Sequence, residues 1–430
     1  MPNLEFPKGF LWGAGTSSHQ VEGNHHNEWS EWEKRSAERL AKEAREESWH
    51  DSWRGYGKRE RNAEFAKEAS DPNNYISGAA CDHWNRYEED FDILQELNLN
   101  TYRFSIEWSK VEPAEGAFDK EAIDHYKKVI ASLRRRGIEP FVTLWHFWLP
   151  VWVAESGGAL SPEFPDRFAR YADRMAKEFG DSVTFYVTIN EPDIYSSLSY
   201  LLGFWPPERK SVLLHFRALH HLKQAHKKAY SAIKAAAPKA QVGITKQFMH
   251  FVALRRTPWN LLGCRFADWW WNTSIVDALK GYQDFIGFNY YQKKVIGKDT
   301  RDPDEIEHTD IGWEYDPESI YDALIALKRY EIPIYITENG LADAYDRLRG
   351  QFITETLASI YKAISDGTDV RGYIHWSLLD NFELDKGFWP RFGLVHVDFA
   401  TQKRTIRKSA RLYAKIAGSN SFEIPENGDF

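Results

Sequence analysis

The chain is poor in several features that commonly announce a function. Its two cysteines, Cys81 and Cys264, can form at most one bridge in 430 residues. That excludes a disulfide framework, and two buried, reduced thiols are expected. Adjacent histidines occur at His25-His26 and His220-His221, but neighbouring side chains diverge on a helix or strand. No Cys/His/Asp set at ligand spacing joins them, so no metal is expected. Gly13-Ala14-Gly15 lacks the remainder of a nucleotide-binding fingerprint and reads as close strand packing, and no cofactor is expected. No run of about 18 apolar residues occurs, and Met1 to Gly13 lacks a cationic start followed by an unbroken apolar stretch. The expectation is a cytoplasmic chain, neither secreted nor membrane-spanning, with no membrane partner. The net charge is −8 and the basic residues are interleaved with acidic ones, which argues against nucleic acid as a partner.

A Pro/Gly/Ser-rich linker is missing too, as is any short repeat, so residues 1–430 read as one domain. The segment from Glu28 to Glu68 is denser in Glu, Lys and Arg than the rest and reads as a solvated helical excursion rather than a substrate lid. Hydrophobic residues make up 43% of the chain, enough for a large core. Eighteen tryptophans stand out. An indole offers a flat apolar face and one N–H donor, a combination that suits sugars, although many of these rings must be plain core.

Short β-rich runs alternate with longer helical patterns, the signature of a parallel sheet with helical crossovers. Eight runs are expected as strands: Phe10–Gly13, Thr101–Ile106, Glu139–Trp145, Thr184–Ile189, Gln241–Thr245, Phe285–Asn289, Ile334–Thr337 and Gly372–Trp376. Helices are expected over Cys81–Leu97, Lys120–Arg136, Pro165–Phe179, Leu213–Ala236 and Gln351–Ser365. Eight strands with intervening helices fit a closed (β/α)8 TIM barrel, an α/β fold, better than an open sheet.

Thr188-Ile189-Asn190-Glu191-Pro192 follows the fourth run and Thr337-Glu338-Asn339-Gly340 the seventh. The C-terminal strand ends of such a barrel form one face, so the two carboxylates would converge on one pocket. Cleavage of a glycosidic bond needs such a pair, one carboxyl to protonate the leaving oxygen and one to attack the anomeric carbon or activate water.

Further blocks are Phe10-Leu11-Trp12-Gly13, Gln20-Val21-Glu22-Gly23, Tyr102-Arg103-Phe104-Ser105, His146, Asn289-Tyr290-Tyr291 and Trp376-Ser377-Leu378-Leu379-Asp380-Asn381-Phe382-Glu383. In this order the sequence resembles glycoside hydrolase family 1, the β-glucosidase/β-glycosidase family, over nearly its whole length. The resemblance implies Glu191 as acid/base and Glu338 as nucleophile of a retaining exo-β-glycosidase, with Arg103 and Tyr291 contacting the nucleophile. It also implies that Gln20, His146, Asn190, Trp376 and Glu383 hold the nonreducing sugar of a β-linked oligosaccharide or glycoside. A retaining pair should stand about 5 to 5.5 Å apart. β-D-Glucosides and related galactosides and fucosides are the expected substrates, with transglycosylation when acceptors compete with water.

The chain departs from that family's pattern at Leu384, where a second Trp usually follows Glu383, and at Phe147, where many members have Trp after His146. Both changes predict a roomier or less selective nonreducing-end pocket. Retention of the acid Glu383, where members acting on 6-phosphorylated sugars tend to carry Ser, favours an unphosphorylated sugar, because a carboxylate repels phosphate. Trp148, Trp205 and Phe388 are candidates for stacking an aglycone. Two other readings stay open, a 6-phospho-β-glycosidase and a catalytically weakened glycan-binding barrel.

Overall fold

The computed structural model describes residues 3–45, 63–302 and 305–423. Eight parallel strands close into a barrel in chain order: β1 (Leu11–Gly15), β2 (Thr101–Ser105), β3 (Glu139–Trp145), β4 (Phe185–Asn190), β5 (Gln241–Val252), β6 (Phe285–Val295), β7 (Ile334–Asn339) and β8 (Val370–Trp376). β8 pairs with β1 through Leu11↔Gly372 to Gly15↔Trp376, which seals the cylinder. This is the (β/α)8 architecture expected from the alternation of runs. The outer helices needed here are α1 (Glu28–Arg45), α2 (His83–Glu96), α3 (Lys120–Arg135), α4 (Phe164–Phe179), α5 (Val212–Ala236), α6 (Pro258–Ala267), α7 (Ile320–Leu327), α8 (Arg349–Ser365) and α9 (Lys408–Ser419).

Side chains alternate along each strand between the barrel interior and the helical layer. At the N-terminal end the interior is plugged by Phe141, Val187, Phe285, Tyr335 and Ile374. Phe141 and Phe185 stack at 4.8 Å, and Tyr335 meets Phe141 edge-on. Such a plug keeps water out from below. Nearer the C-terminal end the buried positions turn polar, with Arg103, Thr143, Asn190, Thr245, Asn289 and Thr337 all 1% exposed or less. Registers slip at the same level, between Val187 and Asn190, Phe288 and Asn289, and Ile336 and Asn339. An irregular ladder re-aims side chains at a barrel rim, and here it does so on the strands that carry Asn190, Asn289 and Glu338.

Three expectations need correction. β5 and β6 do not stop at Thr245 and Asn289 but pair with each other beyond the rim as far as Val252↔Val295. The charged segment after β1 is helical over Glu28–Arg45, but it is not merely solvated: Trp29, Trp32, Ala37, Leu40, Ala41 and Ala44 are buried. Together with buried Glu33 and Ser36 they form one face at spacings of three and four residues, and local charge density concealed that stripe. Residues 46–62 of the segment lie outside the described residues. Cys81 is buried, whereas Cys264 is only partly so, and neither forms a disulfide.

Gly340, which follows β7, shows how tightly the rim closes. A Cβ at this position would stand 1.9 Å from the Trp376 carbonyl oxygen, whereas one at Gly350, in α8, would find its nearest atom at an ordinary 3.6 Å. Overpacking of this kind costs about 1–3 kcal/mol. In chemical denaturation, Gly340→Ala is expected to lose that much stability, and Gly350→Ala to be neutral or slightly stabilising.

Candidate active site

One pocket opens at the C-terminal face of the barrel, about 1050 Å³ of empty space continuous with solvent. Gln20, His146, Asn190, Glu191, Tyr291, Glu338, Trp376, Glu383 and Leu384 all line it. Arg103, the remaining residue singled out from the sequence, lies beneath its floor with no exposed surface.

Glu338 sits at the end of β7, 4% exposed. Arg103 Nη1 donates to its Oε1 in a short charge-assisted bond, and the Tyr291 hydroxyl donates to Oε2 at 2.6 Å. Each carboxylate oxygen therefore has a donor of its own. Burial and the negative charge of Glu338 hold the Tyr291 hydroxyl pKa well above its ordinary value, so it stays a proton donor. Arg103 also reaches the Thr337 carbonyl at 3.2 Å, Asn190 Oδ1 at 2.6 Å and Thr143 Oγ1 at 3.2 Å. Its guanidinium thereby joins four strands.

Glu191 follows β4 in the left-handed region, at φ 43°, with its N–H donating to the Thr245 carbonyl at 2.8 Å. Its carboxyl is 6% exposed and Oε1 accepts from Asn289 Nδ2 at 2.8 Å. Burial raises its pKa well above the carboxylic-acid range, and the charges of Glu338 and Asp193 raise it further against the pull of Asn289 and Arg103. Two carboxyls in one pocket thus have opposite surroundings. One is encircled by donors, and the other is favoured as a neutral acid.

The wall beside them is a chain of oriented amides and rings. Asn190 Nδ2 donates to His146 Nε2 at 3.2 Å, which leaves the His146 proton on Nδ1. That buried Nδ1 has no partner among the described residues and can donate to a bound hydroxyl. Burial, reinforced by Arg103, keeps the imidazole neutral. Gln20 is spent differently: Nε2 donates to the Phe382 carbonyl at 2.9 Å, Asn381 Oδ1 at 3.0 Å and Glu383 Oε2 at 3.3 Å. It therefore orients Glu383, whose pKa burial pushes up to about 7 with Lys386 opposing. Leu384, at φ 55°, presents an apolar branch to the pocket, and Phe147, at φ 82°, stacks its ring edge-on against His146.

The expected aglycone aromatics separate. Trp205 lines the pocket and donates Nε1–H to Asp385 at 3.1 Å. Trp148 is 1% exposed and packs on His19 and Trp29, and Phe388 packs on Phe382 and Phe399. Both are core. Ile194, Leu198, Phe204, Met249, Trp271 and Trp313 form the outer apolar wall, and none was singled out from the sequence. Only the Trp269–Trp271 run held a local signal for them. Lys246 was missed as well. Its Nζ lies 2.7 Å from Asp193 Oδ2 and the pair is buried next to Glu191.

His25 does not act with His26, but His19, His25 and Glu107 bring ligand-type atoms within 4.8 Å of one another. Asn27 Nδ2 donates to both His19 Nδ1 and Glu107 Oε1, while Ser18 and Ser109 also donate to Glu107. These bonds tie the loop after β1 to that after β2.

Asp193→Asn removes one of the charges that hold Glu191 protonated. Activity that needs Glu191 as an acid is lost as pH rises through its pKa, so lowering that pKa should move the alkaline limb of kcat/KM to lower pH. A pH profile on a nitrophenyl β-glycoside measures it.

Sequence and structure comparisons point the same way. A model described as glycosyl hydrolase family 1 matches residues 3–258 and 271–422. Beta-glucosidase A of Thermotoga maritima is 31% identical, over 97% of this chain and 99% of its own. The bifunctional β-D-glucosidase/β-D-fucosidase of Bifidobacterium breve is 30% identical over 97% and 99%. The solved structure of a β-glycosidase from Pyrococcus horikoshii superposes with a TM-score of 0.84 at 34% identity, covering 99% of both chains.

Proposed function

The chain belongs to glycosyl hydrolase family 1, and we propose that it is a retaining exo-β-glycosidase of unphosphorylated β-D-glucosides and related β-galactosides and β-fucosides, acting in the cytoplasm. The observation that carries this reading is the contrast between the two buried carboxyls in one pocket. Glu338 has a donor on each oxygen, whereas burial and the charges of Glu338 and Asp193 raise the pKa of Glu191 and favour its acid form.

In the first step Glu191 gives its proton to the glycosidic oxygen as Glu338 attacks the anomeric carbon. The C–O bond to the aglycone breaks, and the leaving group departs as an alcohol. Glu338 then carries a neutral glycosyl ester, so its charge no longer raises the pKa of Glu191. The resulting Glu191 carboxylate takes a proton from water as the water oxygen attacks the anomeric carbon and Glu338 leaves. An alcohol in place of water gives transglycosylation. Asn190 has a second amide N–H available for the sugar 2-hydroxyl, a bond that strengthens as positive charge develops at the anomeric centre. His146 Nδ1–H and Glu383 serve the more distant hydroxyls, and Trp376 supplies a stacking face.

Two features bear on sugar choice. Glu383 stands where a 6-phosphate would meet a carboxyl, and the Nζ of Lys386 beside it lies 3.7 Å from Asp385 rather than free for an anion. Leu384 offers no N–H donor, and a sugar hydroxyl or its partner left unpaired in a closed pocket costs about 1–3 kcal/mol.

Incubation with 2-deoxy-2-fluoro β-glycosides should attach one sugar to Glu338, read by peptide mass mapping. No adduct across the gluco, galacto and fuco series would support the binding-protein reading instead. Glu191→Gln should lower kcat/KM by about 10²–10⁴ for alkyl aglycones and far less for nitrophenyl ones, whose departure needs no protonation, while kcat falls for both because the attacking water loses its base. Leu384→Trp should change the ranking of monosaccharide glycosides by kcat/KM. Identical values for every sugar would remove Leu384 from specificity.

A further inference from the structure

α6 and the turn after it carry their large apolar side chains outward. Trp259 is 80% exposed, Leu262 57%, Phe266 60% and Trp269 52%. Spacings of three and four residues put them on one helical face. A helix of a globular protein normally turns such a stripe inward, yet none of the residues of α6 is buried. The ridge extends onto the first turn of α5, where Leu213 is 80% exposed and the Phe216 ring lies 5.2 Å from that of Trp270. Contiguous exposed apolar surface of this extent marks a contact with something.

Two independent observations narrow what that is. Residues 259–270 fall outside the two segments matched by the family model, so the ridge is not part of the sequence pattern that the catalytic family shares. Its edge is cationic in a chain of net charge −8: Arg255, Arg256 and Arg265 are exposed, and none has an acidic partner among the described residues. A two-fold dimer through the ridge would set each copy's arginines against those of its mate. A sheet of anionic headgroups over an apolar interior complements both parts at once, with indole rings at the boundary.

We propose that α6 is an interfacial anchor that docks this protein on an anionic lipid bilayer. The helix lies flat, with Trp259, Leu262, Phe266 and Trp269 entering the headgroup boundary and the three arginines on lipid phosphates. No helix among the described residues is long and apolar enough to cross a membrane, and an interfacial helix needs no span. The sequence expectation of no membrane partner rested on that missing span, which does not bear on a helix lying in the interface. Docking also faces the catalytic mouth toward the lipid surface, because the turn Asp268–Thr273 gives Trp269 to the ridge and Trp271 to the pocket wall.

The test is co-sedimentation of the full chain with phosphatidylcholine vesicles, with and without phosphatidylglycerol, at low and high salt. Binding to the anionic vesicles is expected, weakened by salt. Trp259→Asp/Phe266→Asp should lower partitioning by about tenfold or more. Arg255→Glu/Arg256→Glu should abolish the preference for phosphatidylglycerol. Both variants should hydrolyse a soluble nitrophenyl glycoside at the unaltered rate, which shows that they fold. Absence of vesicle binding, or equal binding by the variants, overturns the proposal. A dimer in sedimentation velocity that Trp259→Asp/Phe266→Asp dissociates, without vesicle binding, assigns the ridge to a second copy of the chain. Vesicle binding does not depend on catalysis, so its failure would leave the glycosidase reading intact.

Discussion

A guanidinium with no exposed surface at the centre of the barrel is the constraint on which the site depends. Removing the Arg103 charge from water carries a large desolvation cost, tolerable only if every face of the group meets an acceptor. It meets Glu338, the Thr337 carbonyl, Asn190 and Thr143, which belong to β7, β4 and β3. Satisfying one side chain therefore brings three strand ends into register with β2. The aromatic plug of Phe141, Phe185, Phe285 and Tyr335 keeps water from reaching the guanidinium from below.

The two carboxyls owe their difference to the same low-dielectric environment. A carboxyl buried beside another negative charge becomes a neutral acid unless donors compensate, and the donors are distributed unequally. Glu338 receives Arg103 and Tyr291, whereas Glu191 receives the neutral amide of Asn289. The buried Lys246–Asp193 pair adds adjustment from the outer side of β5. Small displacements of these strands would alter proton affinity before they altered stability, which is why the register slips near Asn190, Asn289 and Glu338 matter.

Outside this polar floor the pocket is built from rings and short turns. Trp29 of α1 packs edge-on to Trp148 and lies 5.3 Å from Trp205, so a helix rich in surface charge braces the mouth. Glu383 is oriented by Gln20, nearly the full chain length away in sequence. A specificity wall assembled this way can change by single substitutions such as Leu384 without disturbing the floor, since the Leu384 side chain has no polar atom to hydrogen-bond Arg103 or its partners.

Much of this was legible in the amino-acid sequence. Period-two apolar runs alternating with helical patterns are local properties, so the eight strands and the closed barrel could be read without tertiary information. So could Glu191 and Glu338, because a carboxylate directly after a buried strand in such a barrel has one face to reach. Three things were not legible. The roles of Lys246 and Asn289 and the bond from Gln20 to Glu383 run through partners on other strands or loops, and no local pattern encodes an ion pair or an amide chain across a barrel. The inward face of α1 was hidden by its charges, since composition ignores direction. The outward face of α6 was hidden for the converse reason. An apolar stripe has the same sequence whether it faces core or solvent, and only the placement of the helix on the barrel decides which.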